Sequence, residues 1–281
     1  MMGYEKGALL FLSRALHPLE SAHTLARVLL EEYIGSGPPH NPLTLELSVL
    51  QNHEQYAHIM SAVERLKQGE PIQYIVGYGD FYKHRFRVNP TCLVPRPETE
   101  ELVLRSLEHM SDEGIALDFC TGSGCIAISI AIEKPEWDVW ATELDPQTLQ
   151  TAMLNATELG ADRVHFLHHN LLGSALNIKP GSANLIISNP PYIALEEAQQ
   201  MSDQVLQFEP HIALFAGPDP LIFYRKLLEN ARILLSKGGI MLCEINPHYA
   251  SELNILAGQF GMQGQIECDM SGKERFWKVI H

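Results

Sequence analysis

Asn189-Pro190-Pro191-Tyr192 follows directly on the strand-like run Leu185-Ile186-Ile187-Ser188, and its residue types are suited to chemistry. Two consecutive prolines stiffen the backbone and remove two N–H donors, while both carbonyls remain. Asn189 adds a carbonyl that accepts and an amide that donates. Tyr192 adds a flat aromatic face. Together they predict a slot for a planar –NH2 group, with two acceptors for its two hydrogens and a ring against its plane. The nitrogen of an amide or aryl amine is a poor nucleophile because its lone pair is delocalised. Carbonyls that hold both hydrogens aim that nitrogen at a methyl group on a sulfonium. They also favour the more pyramidal, more positive nitrogen of the transition state. Positioning contributes much of the remainder. The protonated product nitrogen is strongly acidic, so the chemistry needs no dedicated His or Glu base.

A second constellation is nucleotide-like. Asp118-Phe119-Cys120-Thr121-Gly122-Ser123-Gly124 follows the apolar run Ile115-Ala116-Leu117. Its glycines let the backbone turn tightly and approach a ligand, and the helix that follows offers free N–H groups. Glu143 stands 19 residues beyond Gly124, at the end of the next strand. That is where an acid accepts hydrogen bonds from ribose hydroxyls. Asp145 precedes Pro146 and reads instead as a helix cap. The turn by itself leaves a dinucleotide open, since Ala127 is an allowed third position. The Asn-Pro-Pro-Tyr segment discriminates in favour of a sulfonium cofactor.

The elements that must position these residues alternate from residue 115 onward. Strands are expected at 115–119, 138–142, 164–167, 185–188, 240–245 and 276–280. Helices are expected at 125–132, 146–159, 221–235 and 248–260. This alternation predicts an α/β fold with a parallel sheet and right-handed crossovers. Ligands then bind outside the carboxyl ends of the strands. Upstream, leucines from Leu9 to Leu19, and then Leu25, Val28, Leu29 and Tyr33, recur at helical spacing. Gly35-Ser36-Gly37-Pro38-Pro39 reads as a loop and Asn41-Pro42 as a helix start. A further helix is expected at about 53–68. Tyr74-Ile75-Val76-Gly77 and Phe81 to Val88 read as a hairpin-like linker. The expected domains are a helical bundle at 1–70, a linker at 71–95 and the catalytic domain at 96–281.

Of the 281 residues, 46 % are apolar, so a packed core is expected. The formal net charge of −14 disfavours a phosphate backbone as substrate. Cys92, Cys120, Cys125, Cys243 and Cys268 form no Cys-x-x-Cys pair and read as reduced thiols. No His-Glu-x-x-His occurs, and no metal is expected. No apolar run approaches membrane-spanning length, and a cytoplasmic location is expected.

The chain resembles the protein-(glutamine-N5) methyltransferases that act on peptide chain release factors. The resemblance is carried by Gly69-Glu70-Pro71-Ile72-Gln73-Tyr74-Ile75 with Gly77, and by Val94-Pro95-Arg96-Pro97-Glu98-Thr99-Glu100. It continues through Thr121-Gly122-Ser123-Gly124 and Asn189-Pro190-Pro191-Tyr192. Phe208-Glu209-Pro210 with Ala213-Leu214, and Gly272-Lys273-Glu274-Arg275-Phe276, complete it. Asn-Pro-Pro-Tyr alone is shared with DNA and RNA amino-methyltransferases. The resemblance implies a seven-stranded, Rossmann-like class I methyltransferase domain, a small N-terminal helical bundle and a connecting β-hairpin. It implies S-adenosylmethionine as cofactor, against Cys120, Thr121, Gly122, Ser123, Gly124, Glu143, Asn170, Leu171, Leu93, Arg96, Thr99 and Asn189. It implies that the glutamine of a Gly-Gly-Gln loop enters the slot of Asn189, Pro190, Pro191 and Tyr192. The Phe208-Glu209-Pro210 loop is expected near its mouth. Arg96 is alternatively a helix-start ion partner of Glu98.

Two positions depart from the family pattern. Cys120 replaces a glycine, so its φ is expected to suit a side chain. Asn170 replaces an Asp; its carbonyl can still accept from an adenine amine, with Leu171 against the ring. Rival readings are methylation of an exocyclic amine in nucleic acid, of a ribosomal-protein glutamine, or nucleotide binding without turnover.

Overall fold

The computed structural model describes residues 7–34, 53–174 and 176–281. The expected loop at 35–39 and helix start at Asn41-Pro42 lie outside them. The chain divides into two compact units, 1–77 and 78–281.

In the first unit the described helices are α1 (Gly7–Ala15), α2 (Ala22–Tyr33), α3 (His53–Lys67) and α4 (Ile72–Val76). Leu12, Leu16, Leu29, Leu30, Ile59 and Val63 are fully buried between them. Residues 74–76 are helical and belong to α4, so the hairpin reading of Tyr74-Ile75-Val76 is corrected. Pro71 stands just before this turn, and Gly77 ends it in the left-handed region, with its N–H on the Gln73 carbonyl at 2.8 Å. The Pro-before, Gly-after bracket and the burial of Ile75 outweigh the β-branched composition.

The second unit opens with the hairpin β1 (Tyr78–Phe81) and β2 (His84–Arg87). Then come α5 (Pro97–Glu108), β3 (Gly114–Phe119), α6 (Cys125–Glu133), β4 (Trp137–Glu143), α7 (Pro146–Glu158) and β5 (His165–His168). β6 (Ala183–Ser188), β7 (Ile193–Ala194), α8 (Asp203–Phe208), α9 (His211–Leu214) and β8 (Phe215–Gly217) follow. α10 (Ile222–Leu234), β9 (Leu235–Glu244), α11 (Ala250–Gln259), β10 (Gln263–Cys268) and β11 (Glu274–Ile280) complete the order. Seven strands form one sheet in the order β10-β11-β9-β6-β3-β4-β5. Five are mutually parallel, and β11 runs antiparallel to both β9 and β10. A wholly parallel sheet is thus corrected to a mostly parallel one. β10 escaped the sequence reading because Gln263-Gly264-Gln265-Ile266-Glu267 is a polar edge. Two buried clusters flank the sheet, one around Ile126, Ile128 and Ile187, the other around Leu117, Tyr224 and Trp277.

The chain moves from β3 outward to β4 and β5, then returns to the other side of β3 as β6. That reversal creates a crevice at the carboxyl ends. Register decides what faces it. Phe119 pairs with Thr142 on one side and Ser188 on the other, and Ser188 pairs with Cys243. The residues following these positions, Cys120, Glu143, Asn189 and Glu244, therefore emerge side by side.

Candidate active site

The glycine turn is built by local geometry and braced from three sides. Cys120, Gly122 and Gly124 have φ of 61°, 58° and 82°. The expectation that position 120 has an ordinary φ is therefore corrected. Cys120 occupies the left-handed region that glycine favours, at a cost of about 1–2 kcal/mol for a side-chain-bearing residue. A Cβ at Gly122 would meet no protein atom within 4 Å, whereas one at Gly124 would lie 2.8 Å from Ile128 and 3.1 Å from Ala152. Gly122 thus borders open cleft, while Gly124 lets α6 and α7 pack. Buried Asn155 donates to the Ser123 carbonyl at 2.8 Å and to the Arg87 carbonyl at 3.1 Å, and accepts from the Arg87 N–H at 2.7 Å. This ties the turn to the edge of the hairpin.

Glu143 braces the same turn. Its Oε2 accepts from the Gly122 N–H at 2.9 Å, and its Oε1 from the N–H groups of Leu144 at 2.8 Å and Asp145 at 3.1 Å. Burial pushes its carboxyl above the ordinary carboxylate range, against the pull of those three donors. Oε2 keeps a lone pair free, so the side chain can serve a ribose hydroxyl and the turn together. Asp145 caps α7, accepting from Gln147 and Thr148 at 3.0 and 2.7 Å. Below the turn, burial pushes Asp118 up to about 7, opposed by the Thr121 hydroxyl at 2.6 Å and the Ala127 N–H.

A cleft of about 960 Å³ runs along these carboxyl ends. It gathers Leu93, Arg96, Thr99, Cys120, Thr121, Gly122, Ser123, Glu143, Asn170, Leu171, Asn189 and Pro191. Of the expected cofactor contacts, Gly124 does not line it. His169, Leu144, Thr148, Ile212 and Phe223 line it without having been foreseen. A neighbouring cavity of about 580 Å³ is lined by Pro190, Tyr192, Ile193, Met201, Val205 and Leu214, and shares Leu93, Arg96, Asn189 and Ala213 with the first. Asn189 therefore stands where the two join. The wall of the second cavity is held by β7 and β8, which pair Ile193 with Phe215.

Asn189 is not free to rotate. Its Nδ2 donates to the Thr99 hydroxyl at 3.0 Å, and Thr99 donates to Glu244 Oε2 at 2.7 Å. Among the described residues, the side-chain hydrogen bond of Asn189 is the one from Nδ2, and Oδ1 has no partner. Tyr192 donates its hydroxyl to Glu244 Oε1 at 3.0 Å. Glu244, 2 % exposed, was missed in the sequence. Its signal was an acid ending an apolar strand, the same signal that picked out Glu143. Arg96 pairs with Glu209 through two contacts of 2.6 and 2.7 Å, so its ion partner is Glu209 and not Glu98. That pair joins the start of α5 to the Phe208-Glu209-Pro210 loop. No group of three or more His, Cys, Asp or Glu among the described residues is arranged to hold a metal ion.

Comparison with known proteins gives the chain's family. Residues 98–208 match the model of the methyltransferase small domain, and residues 8–77 that of the PrmC N-terminal domain. Among solved structures, a methyltransferase from Pyrococcus furiosus aligns over 81 % of this chain and 97 % of its own, with a TM-score of 0.50 and 17 % identity. The hMettl16 catalytic domain in complex with MAT2A 3′UTR hairpin 6 aligns over 81 % of each chain at 0.54 and 13 %. Both show the fold alone. Curated relatives are much nearer. The release factor glutamine methyltransferase of Staphylococcus aureus is 38 % identical over 76 % of this chain and 77 % of its own. Those of Bacteroides thetaiotaomicron and Neisseria gonorrhoeae are 43 % identical over 67 % and 68 %, and 36 % identical over 82 % and 85 %. With an Asn-Pro-Pro-Tyr slot opening on a nucleotide-type cleft, and with identity of this extent to such relatives, the chain belongs to the release factor glutamine methyltransferase family.

Proposed function

We propose that this protein transfers a methyl group from S-adenosylmethionine to the side-chain amide nitrogen of the glutamine in the Gly-Gly-Gln loop of peptide chain release factors. The observation that carries the reading is the place of Asn189, at the junction of the cofactor-type cleft and the second cavity. The cleft suits the cofactor. It offers a turn whose Gly122 borders open space, an acid with a free lone pair, and the apolar Leu171 beside Asn170.

Bound S-adenosylmethionine supplies an electrophilic methyl group on sulfur. The residues of the chain supply the rest. Cys120 to Ser123, Glu143, Asn170 and Leu171 hold the nucleoside end, and Leu93, Arg96 and Thr99 close the other side. Asn189 Oδ1 and the Pro190 carbonyl accept the two amide hydrogens of the glutamine. Pro191 keeps that backbone stiff, and the Tyr192 ring lies against the amide plane. So held, the amide nitrogen would be oriented for transfer with its lone pair partly freed. Chemistry is assigned to residues 96–281, with 71–95 as the connection and 1–70 as a docking or lid element without chemistry of its own. The substrate places the protein in the cytoplasm, at translation termination. A protein substrate is preferred to nucleic acid because the relatives carry release-factor names and the net charge is −14.

The test is incubation with labelled S-adenosylmethionine and either a release factor, a ribosomal-protein fraction or nucleic acid, followed by peptide mass spectrometry. One added methyl on the tip-loop glutamine is expected. Label in nucleic acid or ribosomal protein alone would overturn the reading.

A further inference from the structure

Glu244 belongs to none of the motifs that carry the family resemblance, yet one buried carboxylate touches both walls of the slot. Oε2 accepts from Thr99 at 2.7 Å and Oε1 from Tyr192 at 3.0 Å. We infer that Glu244 is a positioning residue, which acts through the Thr99 hydroxyl to set the rotational sense of the Asn189 amide and thereby turns its oxygen to the substrate. This inference rests on the reading of Asn189 as the acceptor for the glutamine amide.

The argument is a count of protons. A threonine hydroxyl has one hydrogen and can donate once. Thr99 gives that hydrogen to the carboxylate, so toward Asn189 it can only accept. The Asn189 side must then be –NH2, at 3.0 Å, and Oδ1 is left for the slot. Without an obligate acceptor behind it, Thr99 is free to donate to Asn189 Oδ1. The amide would then present –NH2 to the –NH2 of a glutamine, donor against donor. Asparagine alone has no preference between the two faces; the anion imposes one. The same anion holds the Tyr192 hydroxyl and so pins the ring. Sheet register makes the arrangement, because Ser188 pairs with Cys243 and places Glu244 beside Asn189.

Groups from four neighbouring segments face this carboxylate. Thr99 and Glu98 come from α5, Tyr192 from the segment after β6, and Arg275 from β11, where it also pairs with Asp269 at 3.5 Å. Tyr224 of α10 donates to the Glu244 backbone carbonyl at 3.0 Å. Burial raises the Glu244 carboxyl above its ordinary value; Thr99, Tyr192 and Arg275 oppose the rise and Glu98 adds to it. A proton on Glu244 Oε2 turns the acceptor behind Thr99 into a donor, and Thr99 is then free to donate to Asn189 Oδ1. The orientation set through Thr99 then fails, and transfer declines on the acid side of the profile.

The experiment compares wild type with Thr99→Val, Thr99→Ser and Glu244→Gln. Thr99→Val is expected to lower kcat on release factor about 10- to 100-fold, in line with loss of a hydrogen bond to a charged group, with a much smaller change in cofactor Kd. Thr99→Ser restores kcat. Glu244→Gln lowers kcat and removes the acid limb of the pH profile. Selective ¹⁵N labelling of asparagine gives a readout independent of turnover. The Asn189 side-chain protons should exchange slowly in wild type and Thr99→Ser, and fast in Thr99→Val. If Glu244→Gln does not fold, the Thr99 pair decides. Wild-type kcat in Thr99→Val, or unchanged exchange at Asn189, overturns the inference. A wild-type protein that leaves glutamine unmodified overturns the substrate reading, while the exchange measurement still judges the positioning.

Discussion

The Asn189 side-chain amide donates to the Thr99 hydroxyl across 3.0 Å, joining residues 90 positions apart in the chain. One is on the loop after β6 and the other in the first turn of α5. The contact leaves Oδ1 of Asn189 as the open acceptor at the junction of two cavities.

Truncating that acceptor should therefore separate chemistry from cofactor binding. Asn189→Ala is expected to reduce kcat about 100- to 1,000-fold, the loss typical of one preorganised group at a reacting centre. Cofactor Kd, measured by calorimetry, should change little. Equal loss of both would contradict the division of roles between slot and cleft.

Glu143 should show the opposite split. Its carboxylate accepts from Gly122, Leu144 and Asp145, and the proposed reading gives its remaining lone pair to the ribose. Glu143→Ala releases the turn and, on that reading, deletes the ribose contact. The expected outcome is a cofactor Kd weaker by about 10- to 100-fold, in line with loss of charge-assisted hydrogen bonds. kcat at saturating cofactor should fall far less.

Asp118 makes stability depend on pH. Burial pushes its carboxyl up to about 7, against an ordinary value near 4 in the unfolded chain. The folded state thus holds this proton more tightly than the unfolded one. The corresponding stability is present in acid and is lost as pH rises through about 7. Between about pH 5 and 7 this group removes on the order of 2 kcal/mol. Urea denaturation across that range should show a shallower decline in Asp118→Asn than in wild type. Parallel curves would show that the group does not titrate there.

The Arg96–Glu209 pair is the remaining cross-link at the mouth. The Glu209 side chain is 3 % exposed and that of Arg96 is 32 % exposed. Arg96→Ala leaves a buried carboxylate without its ion partner and should cost about 2 kcal/mol, reduced from the fully buried case by the solvent at Arg96. Adding Glu209→Gln should recover part of that loss. A double-mutant cycle in denaturant reads the coupling, and strict additivity would argue against it.

The parts of the site that lie consecutively in the chain were legible in advance. The Thr121–Gly124 turn, Asp145 as a cap before Pro146, and the Asn-Pro-Pro-Tyr segment each declare themselves through backbone restriction and local hydrogen bonding. The alternation of apolar runs also located β3, β4, β5, β6 and β9. The short elements β7, α8, α9 and β8 between residues 193 and 217 failed to show, as did two others. Polar edge β10 lacks an apolar face, and α4 is a helix of β-branched residues held by its flanking Pro and Gly.

Sequence alone determined which residues lead out of each strand, because covalent order and hydropathy period are written there. It also determined which groups the slot can offer, since two prolines, an amide and a phenol stand in a row at the end of β6. Tertiary structure alone decided that Glu244 stands behind Thr99 and Tyr192, that Glu209 reaches Arg96, and that Cys120 adopts a left-handed φ. The reason is register. Side chains 145 and 113 residues apart meet because β9 lies against β6 and the 208–210 loop folds over α5, and no local propensity encodes those distances.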